Sequence, residues 1–241
     1  MIFTSVSLIT IITTAIIQSI FGVGVLLFGT PILLIFGYDY HNALVILLPI
    51  SLSINIFQLY NHYKEIDFDF FKKILLFTIP LVVLFLYVTF YIDLVINHIV
   101  GGILIIFAIK KYFKYLDNIF QEMIKHDKIL FLFMGAIHGL SNLGGSLLVA
   151  GVFNKNLSKI QTRSTIAVSY LTFAMFQLIT LIFIINNENV NFLQYYYLWF
   201  IGAGIFIIVE KLFFVKIKEN QYSKLFEIFL FTLGTILLLK N

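Results

Sequence analysis

The chain has no cysteine, which excludes disulfides, thiol chemistry and thiolate-held metals. It is also poor in charge: Asp, Glu, Lys and Arg are 12% of its 241 residues, whereas 61% are hydrophobic. Mean hydropathy is +1.01. A soluble domain of this size has no interior able to hide that much apolar surface, so the composition is that of a polytopic helical membrane protein. Arginine is almost missing: Arg163 stands alone beside the lysines. No Lys or Arg precedes the first hydrophobic run. The charged start of a signal peptide is therefore absent, and the run is expected to stay in the mature fold. No carboxylate lies deep in an apolar stretch; Asp93, Glu210 and Glu227 all fall near predicted ends. That disfavours a central carboxylate proton relay. No metal-ligand cluster, Gly-Xaa-Ser-Xaa-Gly or intramembrane His/Asp set is present, so a membrane enzyme ranks low and no cofactor or metal is expected.

Eight apolar segments stand out, at about 2–36, 43–61, 72–91, 94–110, 129–153, 163–186, 192–210 and 224–239. A straight span needs ~20 residues. The first segment is too long for one span and too short for two, and Phe21-Gly22-Val23-Gly24 breaks it. Asn142-Leu143-Gly144-Gly145 breaks the fifth. The net charge of +4 sits in short loops beside these segments, which implies no nucleic-acid partner. Lys64, Lys72 and Lys73 follow segment two, and Lys110, Lys111, Lys114, Lys125 and Lys128 follow segment four. Lys155, Lys159 and Arg163 follow segment five, and Lys211, Lys216, Lys218 and Lys224 follow segment seven. Lys240 is the only other basic residue. With eight straight spans the two sides carry 9 and 7 basic residues; if segment five enters and leaves on one side they carry 15 and 1. Segment five is therefore expected to be a re-entrant hairpin.

Internal similarity extends this expectation to segment one. Residues 15–27 can be laid on 135–147, and Phe57-Gln58-Leu59 echoes Phe176-Gln177-Leu178 at nearly the same spacing. The expected fold is all-α: two inverted repeats, each a broken re-entrant hairpin followed by three spans. The first repeat covers 1–112 and the second 128–241. Between them, 113–127 carries Phe113, Leu116, Phe120, Met123 and Ile124 at helical spacing and is expected to form an interfacial helix. Tyr195, Tyr196, Tyr197 and Trp199 are expected to anchor segment seven at the outer interface. The expected location is the plasma membrane (a bacterial inner membrane), with both termini outside and the Lys-rich loops cytoplasmic.

A helix that starts inside a membrane presents unpaired N–H groups and partial positive charge. Two inverted hairpins, their second helices beginning near Val25 and Ser146, would aim two such ends at one centre, which favours an anion. Gly22, Gly24, Gly144 and Gly145 leave backbone open for close approach, and Gln18, Ser19, Ser141, Asn142 and Ser146 add neutral hydrogen-bonding groups. The bland alternative is that the glycines only permit tight packing and the polar groups bond neighbouring backbone. Further polar residues recur in segments two and six, among them Ser51, Asn55 and Gln58, then Thr165, Ser169 and Gln177; they either line a path or join helices. Arg163 suits an oxyanion, or sets topology as a loop charge. His138 is the best protonatable candidate, or simply a backbone-bonded histidine; His98 lies closer to a segment end.

The stretch from Phe21-Gly22-Val23-Gly24 through Thr30-Pro31 to His41-Asn42-Ala43, with its counterpart from Asn142-Leu143-Gly144-Gly145 through Arg163-Ser164-Thr165, resembles the TauE/SafE sulfite exporter family. The resemblance covers nearly the whole chain. It implies export of sulfite or an organosulfonate across the plasma membrane by a secondary transporter. The first break is shorter here than a full glycine run, and the second half lacks a Pro after its hairpin. The expected partners are a small anionic substrate and the lipid bilayer, and a homodimer is compatible with the sequence. Two rivals stay open. One is an anion channel built like an aquaporin, although no Asn-Pro-Ala stands at either break. The other is a non-transporting assembly subunit.

Overall fold

The computed structural model describes residues 2–60, 62–92, 95–185, 195–213 and 219–240. Eleven helices carry the described chain: α1 Ile2–Phe21, α2 Val25–Ile35, α3 Tyr40–Tyr60, α4 Phe68–Tyr91, α5 Ile96–Ile109, α6 Lys114–Lys125, α7 Asp127–Ser141, α8 Gly145–Phe153, α9 Lys159–Ile185, α10 Tyr196–Phe213 and α11 Glu219–Leu239. No strand occurs among the described residues. By length and composition alone, α3, α4 and the stretch Lys159–Ile184 of α9 are long and apolar enough to cross a membrane. Asp93 and the start of the seventh segment lie outside the described residues, as does the side chain of Glu227.

Local chemistry sets the boundaries. The breaks fall at the two glycine-rich tetrapeptides. Gly22 (φ 79°) and Asn142 (φ 65°) both take the left-handed conformation that stops a helix. Asp67 caps α4 by accepting from the N–H groups of Asp69 and Phe70. Ser158 and Gln161 cap α9 reciprocally: each backbone N–H donates to the other's side chain, at 3.2 Å. A π-turn interrupts α4 at Ile74–Thr78, and the Thr78 hydroxyl bonds the carbonyl of Phe131 on α7.

Close helix contacts rest on small residues. Gly135 and Gly139, one turn apart on α7, face the Thr78 and Val82 carbonyls of α4; a Cβ at either would come within 2.7 Å of that backbone. Gly101 on α5 and Gly234 on α11 face each other's carbonyls in the same way. The packing is reciprocal between the two halves. α1 packs on α10 and α7 on α4; α3 packs on α10 and α9 on α4; α3 meets α9, and α5 meets α11.

Each broken segment folds back on itself. At the ends of α1 and α2 away from the break, the Ser7 and Tyr38 hydroxyls share a hydrogen bond of 2.5 Å. Asp127 at the start of α7 accepts from Lys155, just beyond α8, at 3.0 Å, and also from Lys73 at the start of α4. Three lysine-bearing loops thus meet at one carboxylate. Partial burial opposes ionisation of Asp127, but the two lysines outweigh it and hold its carboxyl below the ordinary value. Lys240, the basic residue outside the four loops, bonds the Leu34 and Ile35 carbonyls, left over at the C-terminus of α2.

The linker forms a helix at α6 with no buried residue. Phe120 packs on Phe107 of α5, and the Lys110 ammonium lies 4.6 Å from the Phe120 ring centre. Around the bundle, Leu76, Phe183, Phe200 and Leu239 are among the large apolar side chains left exposed. On a soluble protein they would be a liability; against lipid they cost nothing.

Candidate functional site

The two helix breaks match residue for residue. At the first, a Cβ on Gly24 would meet the Thr14 carbonyl and the Gln18 backbone N at 2.6 and 2.7 Å. At the second, a Cβ on Gly144 would lie 2.5 Å from the Met134 carbonyl and the His138 Cβ. Each named residue is 120 positions from its counterpart. Gly24 itself is extended (φ 176°), so its glycine is required by the close approach and not by backbone strain.

Around the first break most polar groups find partners in one another, though the buried Gln58 Oε1 does not. The Gln18 Oε1 accepts from the Val25 N–H at 3.0 Å, capping α2 from inside the fold. The Gln18 amide donates to Asn55 Oδ1 at 3.2 Å, and Asn55 donates to the carbonyl and hydroxyl of Ser51. The Gln58 amide reaches the Gly22 carbonyl at 3.4 Å. The Ser19 hydroxyl bonds the Ile16 carbonyl. Arg163 approaches from α9: one guanidinium nitrogen donates to the Ser19 carbonyl at 3.2 Å and pairs with Glu210 of α10 at 2.6 Å. Arg163, its side chain 11% exposed, is therefore a partly buried tie between both halves and not a solvated loop charge.

Around the second break the arrangement differs. The Ser141 and Ser146 hydroxyls bond the carbonyls of Ile137 and Leu143. Asn142 donates to the Thr30 hydroxyl at 2.9 Å, and the Tyr40 hydroxyl donates to the Gly139 carbonyl at 3.2 Å. The Tyr170 hydroxyl stands where a Cβ on Gly145 would be. His138 packs on Phe173 at 4.4 Å between ring centres, with Gln177 as its polar neighbour. Apart from the interaction between the His138 ring and the Gln177 amide, none of the ring nitrogens of His138, the amide atoms of Gln177 and the Asn142 Oδ1 has a hydrogen-bond partner, and all three residues are fully buried. Each such atom costs about 1–3 kcal/mol when left unmade.

The expected site residues therefore fall into two groups. Gln18, Ser19, Gly22, Gly24, Val25 and Arg163 gather at the first break; His138, Ser141, Asn142, Gly144, Gly145 and Ser146 gather at the second. The atoms closest to each of these four glycines belong to its own helix pair, α3 or α9, never to the other break. On α3, Tyr40 serves the second break and Gln58 the first. Their backbones are ~27 Å apart at 1.5 Å per residue. The Asn142–Thr30 hydrogen bond runs directly from the second break to α2.

Glu210 and Tyr170 were not expected at the site. Glu210 reads from sequence as an end-of-segment charge because its partner is distant in the chain. Tyr170 had a usable signal: the Phe-Gln-Leu echo places it opposite Ser51, just as Val25 falls opposite Gly145. The larger side chain on one element fills the room lost on the other.

No curated protein and no solved structure matches the chain at a significant level. The family model described as sulfite exporter TauE/SafE matches residues 7–237. Its members are membrane transporters, in keeping with the apolar spans. The chain belongs to the sulfite exporter TauE/SafE family.

Proposed function

We propose that the chain is a secondary transporter that exports sulfite or an organosulfonate by alternating access. Its two halves act as inverted repeats. In each, the helix pair before the long spans re-enters the membrane, so the Lys-rich loops share the cytoplasmic side and both termini lie outside. The bundle formed by one repeat rocks against the other, and the anion is met near the helix breaks by N-terminal helix dipoles and neutral polar groups.

One observation carries the reading: the two breaks repeat each other residue for residue, Gly24 on Thr14 and Gln18, Gly144 on Met134 and His138. The helices that follow pack across the halves in reciprocal pairs. Paired broken helices of this kind favour a carrier, since each half can exchange partners as a unit. The Lys73–Asp127–Lys155 cluster also supports re-entry of α7 and α8, because it brings the two ends of that pair to one face.

The test is counterflow in proteoliposomes holding the purified chain. Vesicles preloaded with unlabelled sulfite should accumulate labelled sulfite transiently, with saturation and acceleration by substrate on the far side. Flux without saturation or acceleration would mean a pore. No flux of sulfite or 2-hydroxyethanesulfonate would end the assignment.

A further inference from the structure

We propose that ligand recognition is one-sided: the oxyanion is held in the second half, by His138 and Gln177 beside Asn142 and the start of α8, whereas the matching place in the first half is a closed structural knot. This rests on the transporter reading above.

The argument comes from comparing the halves position by position. Gln18 corresponds to His138 and Val25 to Gly145 at one spacing; Asn55, Ser51 and Gln58 correspond to Ala174, Tyr170 and Gln177 through the Phe-Gln-Leu echo. In the first half, Gln18 links the Val25 N–H to Asn55, and Asn55 links on to Ser51. Every member of that chain has a partner, and all three side chains are at most 2% exposed; among the matching positions of the first half only Gln58 keeps an unpartnered atom, its Oε1. In the second half the middle member is gone. Ala174 offers no side-chain polar group, so His138 has nothing in Asn55's place to bond.

The consequence is a buried cluster of underpaired groups. The His138 ring and the Gln177 amide are buried with only each other as polar partner, and the buried Asn142 Oδ1 has none. Buried polar groups are retained unpaired where something else completes them. α8 begins at Gly145, and the preceding Gly144 packs on His138, so the positive end of the α8 dipole lies beside that residue. Imidazole and carboxamide N–H groups plus a helix N-terminus suit an acceptor-rich anion. The amide oxygens of Gln177 and Asn142 suit a ligand that also carries an O–H. Hydrogensulfite and short hydroxysulfonates have both features.

The experiment measures binding of sulfite and 2-hydroxyethanesulfonate to the purified full-length chain in detergent by calorimetry. Gln177→Met removes the amide at nearly constant shape. It should weaken binding at least about tenfold, the loss of one well-made hydrogen bond. Its ligand-free melting temperature should fall little, because the lost amide has only the His138 ring as partner. His138→Phe should behave alike. Asn55→Leu should do the reverse: a lower melting temperature with unchanged affinity. If Gln177→Met binds as the wild type does while the wild type transports, the ligand sits elsewhere and the inference fails alone. If the wild type neither binds nor moves either probe, the transporter reading fails and takes the inference with it. Should His138→Phe not fold, Gln177→Met decides the matter.

Discussion

Replacing Gly24 with alanine is a sharp probe of the repeated helix breaks. The added methyl would sit 2.6 Å from the Thr14 carbonyl and 2.7 Å from the Gln18 backbone N. Both are helix backbone and have no rotamer to change, so α2 must move off α1 by roughly an ångström or the contact must be strained. Overpacking of this kind costs about 1–3 kcal/mol. Gly24 is a helix cap and not a helix interior residue, so no helix-propensity gain offsets the cost. For a chain of this length, 1 kcal/mol shifts the midpoint by about 2–4 °C, which puts the expected drop at about 2–12 °C. Gly144→Ala meets the Met134 carbonyl and His138 Cβ at 2.5 Å and should fall by a similar amount. Gly102 and Gly204 supply the contrast: a Cβ there meets nothing within 4 Å, and both lie inside helices. Alanine at either should raise the midpoint by about 2–4 °C through propensity alone. The assay is thermal unfolding in one detergent, followed by intrinsic fluorescence. Wild-type melting of Gly24→Ala and Gly144→Ala would refute the tight contacts, and a large loss in only one of them would refute their equivalence.

Other expectations concern charge. Glu210→Gln and Arg163→Met should each destabilise the fold by about 1–3 kcal/mol, since each leaves the other partner partly buried without its ion pair. The double substitution Arg163→Met with Glu210→Leu should recover most of that loss, a result read from a double-mutant cycle of melting midpoints. Asp127 gives a pH dependence. Its folded carboxyl is held below the ordinary value, so its stabilisation is present above about pH 4 and is lost as pH falls through the folded value. Asp127→Asn should therefore melt below the wild type at pH 7, with the gap narrowing as pH falls below about 4; a constant gap would contradict the lysine cluster. Lys240→Met should expose the last carbonyls of α2 and raise amide exchange at Phe36–Tyr38 about fivefold, equivalent to about 1 kcal/mol.

Much of this architecture was legible because hydropathy and punctuation act locally. The breaks at 21–24 and 142–145 coincide with the gaps between α1 and α2 and between α7 and α8. The amphipathic linker is α6, and the loop lysines identified in sequence include the two that converge on Asp127. The single basic residue that broke the charge pattern, Lys240, has a local reason: the carbonyl end of α2. The site was less legible. Sequence put Gly22, Gly24, Gly144 and Gly145 at one centre, whereas the contacts sort them by break. How far two helix pairs overlap in depth depends on side-chain packing, which a hydropathy pattern does not encode. The π-turn at Ile74–Thr78 left no signal either, nor did the Arg163–Glu210 pair, which joins segments distant in the chain.

The central claim is that both broken helix pairs enter and leave the membrane on one side. The native chain has no cysteine, so single cysteines can be placed at Ser5 and Asp39 around the first pair and at Asp117 and Asn154 around the second. Intact cells are then treated with an impermeant maleimide. The account predicts labelling of Ser5→Cys and Asp39→Cys only, with Asp117→Cys and Asn154→Cys reacting after the membrane is opened. Labelling of one member of either pair without the other would mean that the segment crosses, and would contradict the inverted-repeat transporter.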